Sequence, residues 1–415
     1  MTNVPEKLEK APVPAAVLAV LTKLKTQNFE AFLVGGCVRD ALLGKTPKDF
    51  DIATNALPEQ VVAAFERVIP TGIEHGTVTV LMYGIPIEVT TFRTEGKYED
   101  GRRPASVSFN ATLEEDLARR DFTINAMAYN PVTKDLRDPF GGIADLEAKL
   151  IRCVGSAQER FAEDGLRPMR AVRFMAVLGF SIEKETLNAL APSVPVFRKV
   201  AIERINTEFS KMLVTRSASG ALAHLNNTGL LKEFLPEAVR ELQLENTLVR
   251  LSRAKATLPI RLAVLLYSLG AEKVQTVLER LKYPTKVIES VTVLVRNYSL
   301  PIQMSDAELR RLTSVVGTEN VNPLLDLVEA VTDGTSVETV SSYRDRLAVL
   351  LAVNPPLSTK ELALNGKDIM TTLNAKPGPI VGKATRYLFD QVLENPELNT
   401  TELLTAVLQQ WVKSA

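Results

Sequence analysis

The chain has 415 residues, enough for about two to four domains, and its 46% hydrophobic and 24% charged content is that of an ordinary globular protein. Its 49 basic residues balance 49 acidic ones, which excludes a global field that attracts nucleic acid; any polyanion must meet a local basic face. With His75 and His224 as the only histidines, and Cys37 and Cys153 without ligand spacing, a His-rich zinc centre or an HxxHD phosphohydrolase site is also excluded.

The first ten residues are polar and charged, and no apolar run is long enough to span a bilayer, so no membrane association is expected. Two unpaired cysteines fit a reducing compartment, and a cytoplasmic location is the expectation. Apolar spacing predicts a helix over 15–26 and a short buried strand over 31–34 entering Gly35-Gly36. A helix then starts at Val38, a second strand covers 49–54, and an amphipathic helix covers 58–68. Strands over 77–82 and 85–92 meet at Tyr83-Gly84, a hairpin signal.

The segment 94–110, rich in Glu, Asp, Gly and Arg, has no apolar face and reads as a mobile loop. A further strand is expected over 122–129, followed by the turn-rich run Asp138-Pro139-Phe140-Gly141-Gly142. From Ile143 onward helical periodicity dominates, broken by Pro192, Pro195, Pro236, Pro284, Pro355 and Pro377. The expected fold class is α+β, a small mixed-sheet head followed by an all-helical remainder.

Three runs carry chemistry. Leu33-Val34-Gly35-Gly36-Cys37-Val38-Arg39-Asp40 is a glycine turn suited to phosphate, and Asp49-Phe50-Asp51 follows it. On a strand the two aspartates point the same way, with Phe50 toward the core. Adjacent carboxylates repel, and a bound hard cation is the usual reason to keep them together. Glu88, between Ile87 and Val89, would simply face solvent if its strand stood alone. Paired beside Asp49 and Asp51, it becomes a third carboxylate, and three carboxylates holding two Mg2+ ions is what in-line displacement at phosphorus requires.

The second run is Arg119-Arg120-Asp121-Phe122-Thr123-Ile124-Asn125-Ala126, whose paired arginines suit bidentate phosphate binding or, equally, a solvated charge pair. The third is 163–173, EDGLRPMRAVR, in which Asp164, Arg167 and Arg170 are spaced by three and are expected to share one helix face. Such ladders usually mark exposed faces. The more specific reading is that an aspartate accepts a hydrogen bond from an exocyclic amine while an arginine donates to a ring acceptor. Cytosine and adenine satisfy both groups; uracil and guanine set a carbonyl against the carboxylate.

These runs, in this order, resemble the class II tRNA nucleotidyltransferases, the bacterial-type CCA-adding enzymes of the polymerase β superfamily. The resemblance is close for GGxVRD with DFD, for RRDFTINAMA and for EDxxR, over residues 30–210. It continues more weakly through Glu203-Arg204-Ile205, through 362–368 (LALNGKD) and through Lys376-Pro377-Gly378-Pro379. It implies a catalytic head at 1–142, a helical neck at 143–212, a body at 213–300 and a tRNA-binding tail at 301–415, with a sheet only in the head. It implies Mg2+ on Asp49 and Asp51, Glu88 as a third catalytic carboxylate, and Gly36, Arg39 and Arg120 on the nucleotide. Asp164 and Arg167 would form an amino-acid template for the base, with Arg170 and Arg173 supporting it. Pro168 and Gly165 stand where helix formers are usual, so this helix is expected to start late or to kink.

The implied activity is addition of C, C and A to the tRNA 3′ end from CTP and ATP, with the tail on the tRNA elbow. Relatives on the same scaffold add only CC, add only A, or make poly(A); a non-catalytic RNA-binding relative is a further alternative. Glu95, Asp100, Gly101, Arg102 and Arg103 supply the loop that CC-adding members lack, and the C-terminal region is not strongly basic, against polyadenylation. The oligomeric state is not legible in the sequence.

Overall fold

The computed structural model describes residues 4–96, 107–240, 243–301, 303–332 and 337–414. The chain divides into two compact units, Met1–Val239 and Arg240–Ala415.

In the first unit, helix α1 (Ala15–Thr26) presents Val17, Val20, Leu21 and Leu24 to the core at helical spacing. Strand β1 (Ala31–Val34) is apolar and buried throughout. Gly35 then turns the chain into α2 (Gly36–Leu42) with φ of 72°, a backbone state that side chains with a Cβ avoid. Next come β2 (Asp51–Thr54), α3 (Pro58–Ala64), β3 (Val68–Gly72), β4 (Thr77–Met82) and β5 (Ile85–Thr91). Helix α4 (Leu113–Ala118) and strands β6 (Ala128–Asn130) and β7 (Asp135–Arg137) complete the sheet region.

The strand order is β3-β4-β5-β2-β1-β6-β7. β2 lies parallel to β5, and the other neighbours are antiparallel. Helices α1 and α3 pack on one face. On the other, Phe32, Val34, Ala53 and Ala128 meet Leu113 and Leu117 of α4 in a buried cluster.

Four local expectations are corrected. The helix expected over 58–68 ends at Ala64 because Phe65 is extended, and Val68–Gly72 becomes an edge strand, where Pro70 is tolerated. The strand expected over 122–129 is a 3-10 turn at Thr123–Asn125 followed by β6. Its polar side chains prefer local bonds: Phe122 N–H and Asn125 Nδ2 donate to Asp121 Oδ1 at 2.8 and 3.0 Å, and Thr123 Oγ1 donates to Asp145 at 2.6 Å. Asp49 precedes β2 instead of lying in it. The loop expected over 94–110 has a foot made of Thr94–Glu95 paired with Val107–Ser108, and 97–106 fall outside the described residues.

The rest of this unit is helical, with α5 (Ala157–Glu163), α6 (Arg167–Leu178) and α7 (Ile202–Leu213) nearest the site, and α7 packing on α6. The expectation of a sheet confined to the head needs one amendment: Leu150–Ile151 and Ser181–Ile182 form a short parallel ladder. The helix starts late, as expected, at Arg167 after Asp164 and Gly165; Pro168 sits in the first turn of α6, where its missing N–H costs nothing, so the helix runs on to Leu178 without the alternative kink.

The described part of the second unit is helical. Buried Asp326 is compensated by ion pairs to Lys255 and Arg344. Arg310 donates to the carbonyls of Leu393 and Glu394 at 2.6 and 2.7 Å, satisfying the open end of Pro379–Glu394. Leu364, Ile369, Leu388, Leu404 and Leu408 form a separate small core. Among the described residues no helix is long and apolar enough to cross a membrane.

Candidate active site

A cleft of about 420 Å³ in the first unit has the Gly35-Gly36 turn and Asp51 on one side and Asp164, Arg167 and α6 on another. Register explains how the sheet contributes. Asp51 opens β2 directly opposite Val34, the last residue before the glycine turn, and its parallel neighbour on β5 is Glu88. The two exposed carboxylates share a sheet face. Asp51 is open to the cleft yet hemmed by its walls. Lost hydration first, then the charge of Glu88, pushes its carboxyl up; Arg120 opposes this and Asp49 adds a smaller push.

The donor set fits a hard divalent cation, since all three groups are carboxylates and bound positive charge would relieve their repulsion. The side chains are not gathered to ligand spacing: among the described residues no trio of Asp, Glu, His or Cys is close enough to hold a metal ion. The reason is local. Asp49, exposed and ahead of the strand, lacks the register that fixes Asp51 beside Glu88.

Both paired arginines border the cleft, and the residue behind them is Asp116, which sequence reading missed. Arg119 donates to its Oδ1 through Nε and Nη2 at 3.0 and 2.7 Å, and Arg120 donates to its Oδ2 at 3.2 Å. Burial alone would raise the Asp116 carboxyl, but the charges and hydrogen bonds of the two arginines hold it below the usual range. Its i,i+3 and i,i+4 spacing to the arginines was the available signal.

The helical wall departs from expectation. Asp164 terminates α5 and precedes α6, so it does not share a helix face with Arg167 and Arg170. Gly165 explains the break: a Cβ there would stand 2.6 Å from the carbonyl oxygen of Val196, so only glycine lets the link pass. Arg204 of α7 grips Asp164, reaching Oδ2 at 2.9 Å and Oδ1 at 3.2 Å, and Leu166 N–H adds a bond to Oδ1 at 3.0 Å. Arg167 is buried and donates to Glu163 at 2.6 Å and to the carbonyls of Arg160 and Arg119 at 3.0 and 2.9 Å. Asp164 and Arg167 thus reach the same cleft, each held by its own partners.

At the base, Asp121 accepts from Arg170 Nε at 2.8 Å, and Arg173 pairs with buried Glu208 of α7. Arg39 donates to Asn125 Oδ1 at 2.7 Å and to Asp40 at 2.7 and 2.9 Å. Arg39, Arg170 and Arg173 surround the Phe174 ring, at 5.1, 5.4 and 3.8 Å from its centroid. Asp121 and Asn125 lie in the run already singled out. Glu208 carries no sequence signal, because its arginine partners come from a distant element, while Phe174 lies on α6 itself beside Arg170 and Arg173. Gly36, expected on the nucleotide, lines the cleft, but the backbone and the close packing against Arg120 demand glycine at Gly35.

Burial by itself raises Asp121, yet the charge of Arg170, the hydrogen bonds from Asn125 and Arg170 and the charge of Arg167 outweigh it and hold the carboxyl at about 2. A carboxyl depressed below its unfolded value stabilises the fold above that value, here by about 2 kcal/mol, and loses this as pH falls through the folded pKa. Asp121→Asn should therefore lower unfolding free energy at pH 7 by about 2 kcal/mol, with the gap to wild type closing between about pH 4 and pH 2. Denaturant titrations across that range check it; a gap independent of pH would refute the assignment.

Comparison with known proteins agrees with this architecture. Residues 31–152 match the poly A polymerase head domain, 179–242 a probable RNA- and SrmB-binding site of polymerase A, and 260–408 a putative tRNA nucleotidyltransferase domain 2. The CCA-adding enzyme of Geobacillus stearothermophilus is 38% identical over 395 residues, covering 95% of this chain and 96% of that protein. That of Enterococcus faecalis is 37% identical, over 97% of this chain and 96% of its own. The crystal structure of the Bacillus stearothermophilus CCA-adding enzyme in complex with CTP superposes with a TM-score of 0.82 at 33% identity, covering 96% of this chain and 97% of that one. The Thermotoga maritima CCA-adding enzyme complexed with tRNA, 20% identical and covering 99% of this chain and 98% of its own, shares the fold with a TM-score of 0.68. The chain belongs to the CCA-adding enzyme family of nucleotidyltransferases.

Proposed function

We propose that this chain adds C, C and A to the 3′ end of tRNA from CTP and ATP, selecting the base with protein side chains instead of a nucleic-acid template. The observation that supports this reading most directly is that Gly36, Asp51, Arg120, Asp164 and Arg167 border a single cleft. Asp49 and Asp51, with Glu88 beside Asp51, would hold Mg2+, which when bound activates the attacking hydroxyl and neutralises the triphosphate. Gly36, Arg39 and Arg120 bind the phosphates.

Hydrogen-bond capacity supports the template role. Three of the four lone-pair sites on Asp164 are taken by Leu166 and Arg204, which leaves one on Oδ2 for an exocyclic amine. Arg167 spends three of its five N–H groups on Glu163, Arg160 and Arg119, which leaves two for a ring nitrogen or carbonyl. Uracil or guanine would leave a buried acceptor facing the carboxylate. Arg170 and Arg173 hold the wall beneath the base.

The division proposed is a head at 1–142, a neck at 143–212, a body at 213–300 and a tail at 301–415 that grips the tRNA elbow, in a cytoplasmic enzyme. The segment 94–110 favours complete CCA addition over CC-only addition.

Incubated with tRNA lacking its 3′ CCA, the protein should extend by two residues with CTP alone and by three with CTP and ATP; no extension of that tRNA with CTP, but one residue added from ATP to tRNA already ending in CC, would identify an A-adding enzyme instead. Asp49→Ala with Asp51→Ala should lower incorporation by at least roughly a thousandfold while tRNA gel-shift persists, and EDTA should do the same until Mg2+ is restored. Persisting incorporation in the double variant would refute the metal assignment. Arg167→Ala should erode the preference for CTP and ATP over UTP and GTP by roughly ten- to a hundredfold, read from kcat/KM for each nucleotide. Unaltered selectivity would count against the template.

A further inference from the structure

Asp116 has almost no exposed side chain, yet it sits one bond behind the cleft and uses both oxygens on the two arginines that border it. Its contact with Arg93 N–H at 3.4 Å also ties in the segment leaving β5. Arg119 is fixed twice, by Asp116 at its side chain and by Arg167, which donates to its carbonyl at 2.9 Å. Among the described residues, Arg120 is held along one edge. Its Nη2 meets Asp116, while its Nη1 lies 3.0 Å from where a Cβ on Gly35 would stand, under the glycine turn, and its buried Nε has no partner. The charge of Arg120 also reaches Asp51.

We propose that Asp116 is a positioning residue for nucleotidyl transfer, holding Arg120 by one edge so that its free edge stands between the glycine turn and the carboxylates before the nucleotide arrives. The proposal rests on the reading that Arg120 meets the nucleotide. An unanchored arginine has many rotamers, and ordering it on binding weakens affinity, whereas an anchored one is already in place. A buried acid that served only the fold would affect stability and leave the affinity of folded enzyme for nucleotide alone.

Steady-state kinetics on the full chain separates these cases. Asp116→Asn keeps the shape and removes the charge; it should raise KM for both CTP and ATP by roughly tenfold, with KM for tRNA within about twofold. Arg120→Ala should raise the same nucleotide KM, and on that background Asp116→Asn should add less than about twofold, because the residue it positions is gone. Circular dichroism fixes a temperature at which each variant is folded, and Asp116→Glu, which keeps the charge but shifts it by a methylene, serves if the asparagine variant does not fold. A folded Asp116 variant with wild-type nucleotide KM, or an undiminished effect of Asp116→Asn without Arg120, overturns the proposal. An unchanged nucleotide KM in Arg120→Ala overturns instead the placing of Arg120 on the nucleotide, and the proposal with it.

Discussion

The cleft depends on acids standing behind its arginines. Arg39, Arg119, Arg120, Arg167, Arg170 and Arg173 converge on one small space and would repel one another. Each is instead paired with an acid: Arg39 with Asp40, the Arg119/Arg120 pair with Asp116, Arg167 with Glu163, Arg170 with Asp121 at the base of the cleft and Arg173 with Glu208. Removing one partner of such buried pairs leaves the other uncompensated. Their value here is geometric. They fix donors along the walls while leaving some N–H groups unspent, as at Arg167 and Arg120.

The front of the cleft follows the opposite rule. Asp51 and Glu88 are neighbours in register, and lost hydration, then the charge of Glu88, raise Asp51 despite the opposing charge of Arg120. A pair left in that state favours a cation that is not part of the chain. Back-wall carboxylates are depressed by arginines, as at Asp121, while the front-wall one is elevated. That contrast separates acids that hold the fold from acids available for chemistry.

Much of this was legible in the sequence because the signals were local. The β1 run, the glycine turn and Asp51 follow from apolar patterning and backbone freedom, whereas placing Glu88 beside Asp51 also took a strand pairing that alternation does not give and that the family resemblance implied. What failed was local pattern overridden by packing or by side-chain bonding. Asp164 keeps helical spacing to Arg167, but the close approach of Val196 to Gly165 removes it from the helix. Apolar content over 122–129 suggests a strand, and the hydrogen bonds of Asp121, Thr123 and Asn125 make a turn. Arg204 and Glu208 were out of reach for another reason: they act from α7 on residues about 40 positions earlier, and no spacing rule connects them.

The placement of the parts bears on how one enzyme can handle two different bases. On the proposed reading, the groups for phosphorus chemistry sit on the sheet and in the glycine turn, anchored by strand pairing. The groups for base choice sit at a break between two helices, and Asp164 is held by Arg204 of a third. Because Asp164 is bonded to α7 and not to the sheet, a small shift of the helical wall can move the template without disturbing Asp51 or Glu88. Arg167 bridges the two regions through the Arg119 carbonyl, and Arg119 shares Asp116 with Arg120. A hydrogen-bonded path therefore runs from Arg167 through Arg119 and Asp116 to Arg120, and Asp116 is the buried carboxylate along it.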